Sequence, residues 1–461
     1  MGKAADLFIS SDAARETLHR RITPTDEQFE DQKNRWNDLA EFIKGRLKEN
    51  TGLATRTWLQ GSYKFDTQIR PWTVGAEFDI DLGLYFEWAG QPADGPYAPK
   101  YLKALVQKAL GDYRADAEDD ATGLEKPKER CCRISFNPDF HIDVPCYHLD
   151  AQRDARALAT ETNGWEKSDP KAIYEWFKDQ QTDAALRGQL RRQVRYLKMW
   201  AALNFEEEDR PSSILLTVLA VDALHGYAIA DVADDDLLAH VAIVVNARLK
   251  ISHIVPNPVN KSEDLNRLTD DAKSVFVHRL AELKDVAQRA RVAQDKAVAA
   301  ETWAEVFGQF FPMPEDNDEE IAKADGARNA LALFRFDPQI EVEAIPSANA
   351  NRSWRGLNEI VRIPKDCSIR FTLGNAHQLP HGATLRWTVR NKGYEAMREN
   401  DLGHRAGNQI EITEHSAYNG DHAMDLTVYL GSQVIGRRRV WVRIRGTAIP
   451  ARNKRRRRYF G

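Results

Sequence analysis

The pattern of apolar and polar positions changes from a mixture of strand and helix periods to strand periods alone a little past residue 312. Phe78, Ile80 and Leu82 alternate with Glu77, Asp79 and Asp81, which predicts a strand with apolar side chains on one face and carboxylates on the other. A second β-type run, Arg133-Ile134-Ser135-Phe136 followed by Phe140-His141-Ile142-Asp143-Val144, carries one further carboxylate at Asp143. Upstream, Trp58-Leu59-Gln60 reads as a strand end that turns at Gly61-Ser62. Residues 1 to 50 read as helical, and from Asp26 to Leu47 the side chains Phe29, Trp36, Leu39, Phe42, Ile43 and Leu47 recur near a 3.6-residue period. Such a helix would pack as a spine behind the sheet. Trp88 to Pro99 reads as a surface loop, with a helix to follow near 100–114. More helices are predicted near 171–205, 212–227, 233–249, 263–299 and 301–310, with a rigid turn at Val255 to Asn260.

Pro312-Met313-Pro314 and the acidic run Glu315 to Glu320 mark a linker. Alternating stretches follow at Ile340 to Ala344, Ser368 to Leu373, Thr384 to Val389, Gln409 to Thr413, Met424 to Leu430 and Val434 to Ile444, separated by turn residues. That spacing predicts a small β-sandwich. The expected fold class is α+β, organised as a bilobal core over 1–312, a linker over 313–332, a β-rich domain over 333–450 and a basic tail over 451–461.

With 461 residues the chain has room for two or three domains, and its net charge of −4 argues against a general nucleic-acid binder. No N-terminal apolar segment of the secretory kind and no apolar run of about 18 residues is present, so neither secretion nor a membrane span is expected. The four cysteines, with Cys131 and Cys132 adjacent, form no CxxC pair and no disulfide framework. A reducing cytoplasm is the expected location.

Asp79 and Asp81 would hold their Cα atoms about 6.5 to 7 Å apart on one strand face. Carboxylates so close repel and shift each other's pKa unless a cation neutralises them. Mg²⁺, or Mn²⁺ in its place, suits such a site, because a hard cation takes carboxylate and phosphate oxygens. Asp143 would supply the third carboxylate to a two-ion clamp for in-line displacement at phosphorus. Gly61 lets the backbone approach a ligand closely and Ser62 adds a hydroxyl donor. His141, Asp143, Cys146 and His148 also suggest zinc, but strand alternation sends Cys146 to the face opposite His141 and Asp143, and Cys146 is better read as a small buried hydrophobe. On the helix near 184–205, Arg191, Arg195 and Lys198 share one face, while Val194, Leu197 and Ala201 form an apolar stripe.

Leu59-Gln60-Gly61-Ser62-Tyr63, Thr67-Gln68-Ile69-Arg70-Pro71 and Phe78-Asp79-Ile80-Asp81-Leu82 together resemble the cGAS/DncV-like nucleotidyltransferases of the polymerase-β superfamily. The resemblance extends through Arg191 to Trp200 and Pro211 to Thr217, and Trp303 to Phe311 looks like the end of the family's helical half. It implies a catalytic and metal-holding set of Asp79, Asp81 and Asp143, with Gln60, Gly61, Ser62, Lys198 and Ser213 on the substrate and Ser212 as a one-residue alternative to Ser213. Trp387 to Ala396, Glu411-Ile412-Thr413 and Tyr418 to His422 resemble the adenylyl/guanylyl-cyclase and SMODS C-terminal sensor domain, which implies a small ligand, with Asn391, Tyr418 and His422 as pocket candidates.

The activity so implied is the making of a cyclic or linear oligonucleotide second messenger from NTPs, ATP among them, in bacterial anti-phage signalling, with a downstream effector as partner. Nucleotidyl transfer onto a protein or tRNA, and nucleotide sensing without turnover, are the alternatives. Arg452 to Arg458 is almost wholly basic and ends in Tyr459-Phe460-Gly461. It reads either as a solvated tail or, by the same resemblance, as a substrate for a ubiquitin-like conjugation partner acting at Gly461.

Overall fold

Strand β2, Phe78–Glu87, is the axis of an eight-stranded sheet. Its first half pairs in parallel with β5 (Phe140–Val144) and its second half with β6 (Cys146–Asp150), so Pro145 interrupts what is otherwise one continuous partner strand. Along its other edge β2 takes β1, Thr55–Gln60, antiparallel. Outward from β5 lie β4 (Cys132–Phe136) and β3 (Ala121–Leu124), and outward from β6 lie β7 (Ala155–Ala159) and β8 (Trp165–Lys167). This is a computed structural model, and it describes residues 1–73, 75–116, 121–136, 140–314, 336–431 and 433–449.

The chain falls into two compact units, Ile22–Asp285 and a second assembled from Met1–Arg21 with Val286–Gly461. In the first, Ile80, Leu82, Ile134, Ile142 and Val144 form the buried face of the sheet, and they pack with Leu39, Ile43 and Leu47 and with Leu102, Val106 and Leu110. The latter two sets come from helices α2, Asp26–Thr51, and α4, Pro99–Asp116. The spine helix starts where expected because Thr25 and Gln28 form a reciprocal cap, and it stops at Gly52 in the left-handed region. Residues 1 to 25 are less helical than the sequence predicts, with a 3₁₀ turn at Ala5–Leu7 and the short α1, Leu18–Ile22.

Two expected helices divide. The stretch 171–205 becomes α5, Pro170–Asp179, and α6, Ala184–Asn204, because the Asp183 carboxylate accepts from the N–H groups of Ala185 and Leu186 and starts a new helix. Likewise 263–299 contains α9, Asp270–Val292, after which Asp295 caps α10, Lys296–Phe307. Between them in sequence, α7, Ser213–Leu224, and α8, Asp234–Ile251, complete the helical part. Among the described residues no helix is long and apolar enough to cross a membrane.

The second unit contains the expected sandwich. One sheet has the order β10-β9-β12-β15, with β9 at Ile340–Pro346, β10 at Trp354–Leu357, β12 at Cys367–Leu373 and β15 at Glu411–His415. The other has the order β11-β17-β16-β13-β14, with β11 at Glu359–Ile363, β13 at Ala383–Arg390, β14 at Arg405–Gly407, β16 at Gly420–Leu430 and β17 at Gln433–Ile444. Val342, Ile369, Phe371 and Ile412 of the first sheet share a core with Trp387, Leu426, Val440 and Val442 of the second. The acidic run Glu315 to Glu320, most of the expected linker and the basic tail with Gly461 lie outside the described residues.

Candidate active site

Register brings the acidic residues together. Opposite Asp79 in the parallel β2–β5 pairing stands His141, and opposite Asp81 stands Asp143. Residues paired in this way project to the same sheet face, so one face carries all four while Ile80 and Ile142 enter the core on the other. Asp79, His141 and Asp143 each offer a ligand atom within 4.8 Å of the others. Asp81 is close enough to Asp79 and Asp143 that, after burial, their negative charges are the main causes that push its carboxyl up to about 8.

Protein cations already sit on two of these carboxylates. Arg133, the antiparallel partner of Asp143 on β4, approaches it with Nε 2.5 Å from Oδ1 and Nη2 2.8 Å from Oδ2. Burial alone would raise the Asp143 pKa, but this two-point contact holds it below the usual carboxylate range. His141 stands 3.1 Å from Asp79 through Nε2 and 2.7 Å from Glu77 through Nδ1. Burial opposes protonation of the imidazole, yet the two carboxylates together raise its pKa. Arg133 is therefore a site neighbour that the sequence pattern did not single out, and it is joined by Glu77, which alternation put on the carboxylate face as a flanking residue, and by His141, weighed there only as a zinc ligand.

Gly61 follows β1 and opens the short helix α3, Gly61–Phe65, with φ +56°. A Cβ at this position would lie 1.9 Å from Asp81 Oδ2, so both the backbone angle and the close approach demand glycine. Ser62 lies on α3, and its carbonyl accepts from Thr67 N–H at 2.9 Å. Gln60 is buried, donating from Nε2 to the Tyr85 hydroxyl at 2.9 Å and accepting from the Tyr147 hydroxyl at 3.1 Å. Its amide thus braces the strand end beneath the turn.

Lys198 is buried on α6 and donates to the Thr67 carbonyl at 2.8 Å. Burial and then the neighbouring Arg195 lower its pKa to about 7, against the pull of Asp79 and Asp81. Arg191 and Arg195 of the same helix face donate to the carbonyls of Phe65 and Gln68, at 2.9 and 3.2 Å. Ser213 is exposed at the start of α7, where Ser212 is the N-cap and accepts from Leu215 N–H at 3.4 Å. Cys146 is buried with its thiol toward the Val144 carbonyl, and the His148 ring lies 4.3 Å from that of Trp88. Neither reaches the acidic cluster named above.

The pocket candidates of the sandwich bond to one another and to their own loops. His422 is buried, with Nε2 2.9 Å from the Tyr418 carbonyl and Nδ1 accepting from Lys392 N–H at 3.3 Å. Asn391 donates to Asp401 at 3.1 Å.

As donors, Asp79 and Asp143 with Asp81 beside them on the same face fit a hard divalent cation, and the burial of Asp81 together with the charges of Asp79 and Asp143, which raise its pKa, is a burden that such a cation relieves. Residues 55–147 match the family described as cyclic GMP-AMP synthase DncV-like, nucleotidyltransferase domain, and residues 327–445 match the adenylyl/guanylyl and SMODS C-terminal sensor domain. A cyclic GMP-AMP synthase of Escherichia albertii is 28% identical over 98% of both chains. A c-di-GMP synthase of Roseivirga ehrenbergii is 25% identical over 59% of this chain and 78% of its own. Among solved structures, the Vibrio cholerae DncV cyclic AMP-GMP synthase shares the fold, with a TM-score of 0.54 and 22% identity over 64% of this chain and 94% of that one. The chain is a nucleotidyltransferase, with a DncV-like nucleotidyltransferase domain at residues 55–147 followed by a SMODS-type C-terminal sensor domain at residues 327–445.

Proposed function

We propose that the protein joins NTPs, ATP among them, into a cyclic or linear oligonucleotide second messenger, and that it does so with divalent cations in the bacterial cytoplasm as part of anti-phage signalling. The observation that carries this reading is the meeting of Asp79, Asp81 and Asp143 on one face of β2 and β5. Similarity over nearly the whole chain to a cyclic GMP-AMP synthase supports the cyclic product class.

In this reading Asp79, Asp81 and Asp143 would hold two Mg²⁺ ions, with Asp143 on the side of the acceptor hydroxyl. The ions, when bound, stabilise charge on the attacking and leaving oxygens at phosphorus. Asp143, kept ionised by Arg133, is the carboxylate able to assist loss of the acceptor proton. Gly61 and Ser62 hold the donor triphosphate from one side, Lys198 from the other, and Ser213 adds a hydroxyl. A downstream effector that binds the product, a small ligand for the sensor domain and conjugation at Gly461 belong to the same proposal.

The test is mass spectrometry of products formed by the purified full-length chain from mixed NTPs with Mg²⁺. Soluble oligonucleotides are the expected outcome. Label that ends up only on protein or added tRNA, with no soluble product, would sink the proposal.

A further inference from the structure

A five-residue helix does not hold itself, so something outside α3 must fix the Gly61–Ser62 turn. Asp66 ends α3 in the left-handed region, at φ 54° and ψ 49°, with its N–H directed back at the helix carbonyls. Its carboxylate then reaches α6, where Oδ1 lies 2.5 Å from Arg195 Nη2 and Oδ2 lies 3.3 Å from Arg191 Nη1. The same two guanidinium groups take the Phe65 and Gln68 carbonyls, and the Lys198 ammonium takes that of Thr67. One stretch of chain after the turn is therefore gripped by three cations of one helix face, with Asp66 supplying the countercharge.

We propose that Asp66 is a positioning residue, which pins the end of α3 to α6 and so sets the separation between the Gly61–Ser62 turn and Lys198. The inference rests on the nucleotidyl-transfer reading, in which those two elements hold one triphosphate between them. Groups that must meet the same phosphates lose affinity when their spacing drifts by a fraction of an ångström to an ångström. Asp66 touches neither the acidic cluster nor any group assigned to the reacting phosphorus, so its loss is expected to weaken nucleotide capture and spare turnover.

Asp66→Gly keeps a residue at home in the left-handed region and removes both ion pairs, whereas Asp66→Asn keeps an acceptor for Arg195 without the charge. Calorimetric titration of the full chain with α,β-methylene-ATP and with α,β-methylene-GTP in Mg²⁺, alongside steady-state kinetics, separates the possibilities. Asp66→Gly is expected to raise Kd and KM on the order of tenfold with kcat within about twofold, and Asp66→Asn to fall between it and the wild type. An unchanged Kd in Asp66→Gly, or a loss confined to kcat, would overturn the inference. If Asp66→Gly melts below the assay temperature, Asp66→Asn decides the same question, an unchanged Kd there again being the overturning result. A wild-type chain that takes up neither analogue overturns the nucleotidyl-transfer reading, and this inference falls with it.

Discussion

Gly61 lies directly against the carboxylate of Asp81, with no space between them for even one added carbon. Gly61→Ala therefore has to displace the Asp81 side chain and hold an L residue at positive φ, a strain of about 1–2 kcal/mol. Product formation is expected to fall by on the order of 10²-fold or more, while the circular dichroism spectrum stays that of a folded protein. Near wild-type turnover in Gly61→Ala would show that this contact has no part in the chemistry.

Asp79→Ala combined with Asp81→Ala is expected to abolish oligonucleotide synthesis and leave the fold intact, since both side chains face away from the core. Asp143→Asn should reduce turnover by on the order of 10²- to 10³-fold. Residual turnover close to wild type in the double variant refutes the site assignment. Chromatographic quantification of product gives the readout.

Asp81 also predicts a pH dependence of stability when divalent cations are chelated. Its carboxyl ionises near 3.8 in the unfolded chain but holds its proton to about 8 in the folded one, through burial and then Asp79 and Asp143. This contribution is fully present below about pH 3.8 and is lost as pH rises through about 8. Lys198 runs the other way, because a pKa lowered from 10.5 to about 7 adds stability between those values. The Tm in EDTA is thus expected to decline from about pH 4 to 7 more steeply in the wild type than in Asp81→Asn, with Mg²⁺ recovering it most above pH 7. Parallel profiles for the two proteins in EDTA would contradict the raised Asp81 pKa.

Removal of residues 316–461 is expected to cost more than regulation. Glu301 of α10 is buried, 2.9 Å from Arg437 Nε, and accepts from the Thr427 hydroxyl at 3.1 Å. Arg390 donates to the carbonyls of Gln309 and Phe311, at 3.0 and 2.6 Å, and is paired with Asp425 at 2.6 Å. Stripping away the sheet leaves a carboxylate and two carbonyls without these partners, a loss on the order of 3–5 kcal/mol for a buried ion pair alone. A soluble, monodisperse 1–315 fragment with the Tm of the full chain would disprove this dependence.

The carboxylate strand was legible because alternation over six residues, Glu77 to Leu82, is a local signal. Arg133 was not, because a neighbour across the sheet is set by register, and no local pattern states that residue 133 pairs with 143. Knowing that β4 and β5 form a hairpin would have sufficed to find Arg133. Strands β10 and β14 are short and belong to sheet edges, where too few alternating positions exist to stand out. The basic face of α6 was correctly placed on one side of its helix, but its guanidinium groups turn out to bond to the last residue of α3 and the loop after it, a contact between residues more than a hundred apart.

The unit that joins Met1–Arg21 to Val286–Gly461 bears on the order in which the chain can assemble. Phe8 packs its ring edge against Trp303 and Phe311, and Arg21 donates to the carbonyls of Gln309 and Leu402. On the ribosome, residues 22–285 acquire all partners of their own unit once Asp285 has emerged, whereas residues 1–21 must wait for partners from Trp303 to Leu402. For that interval the nascent N-terminal arm carries an unsheltered phenylalanine, which makes it the natural foothold for a chaperone or a protease.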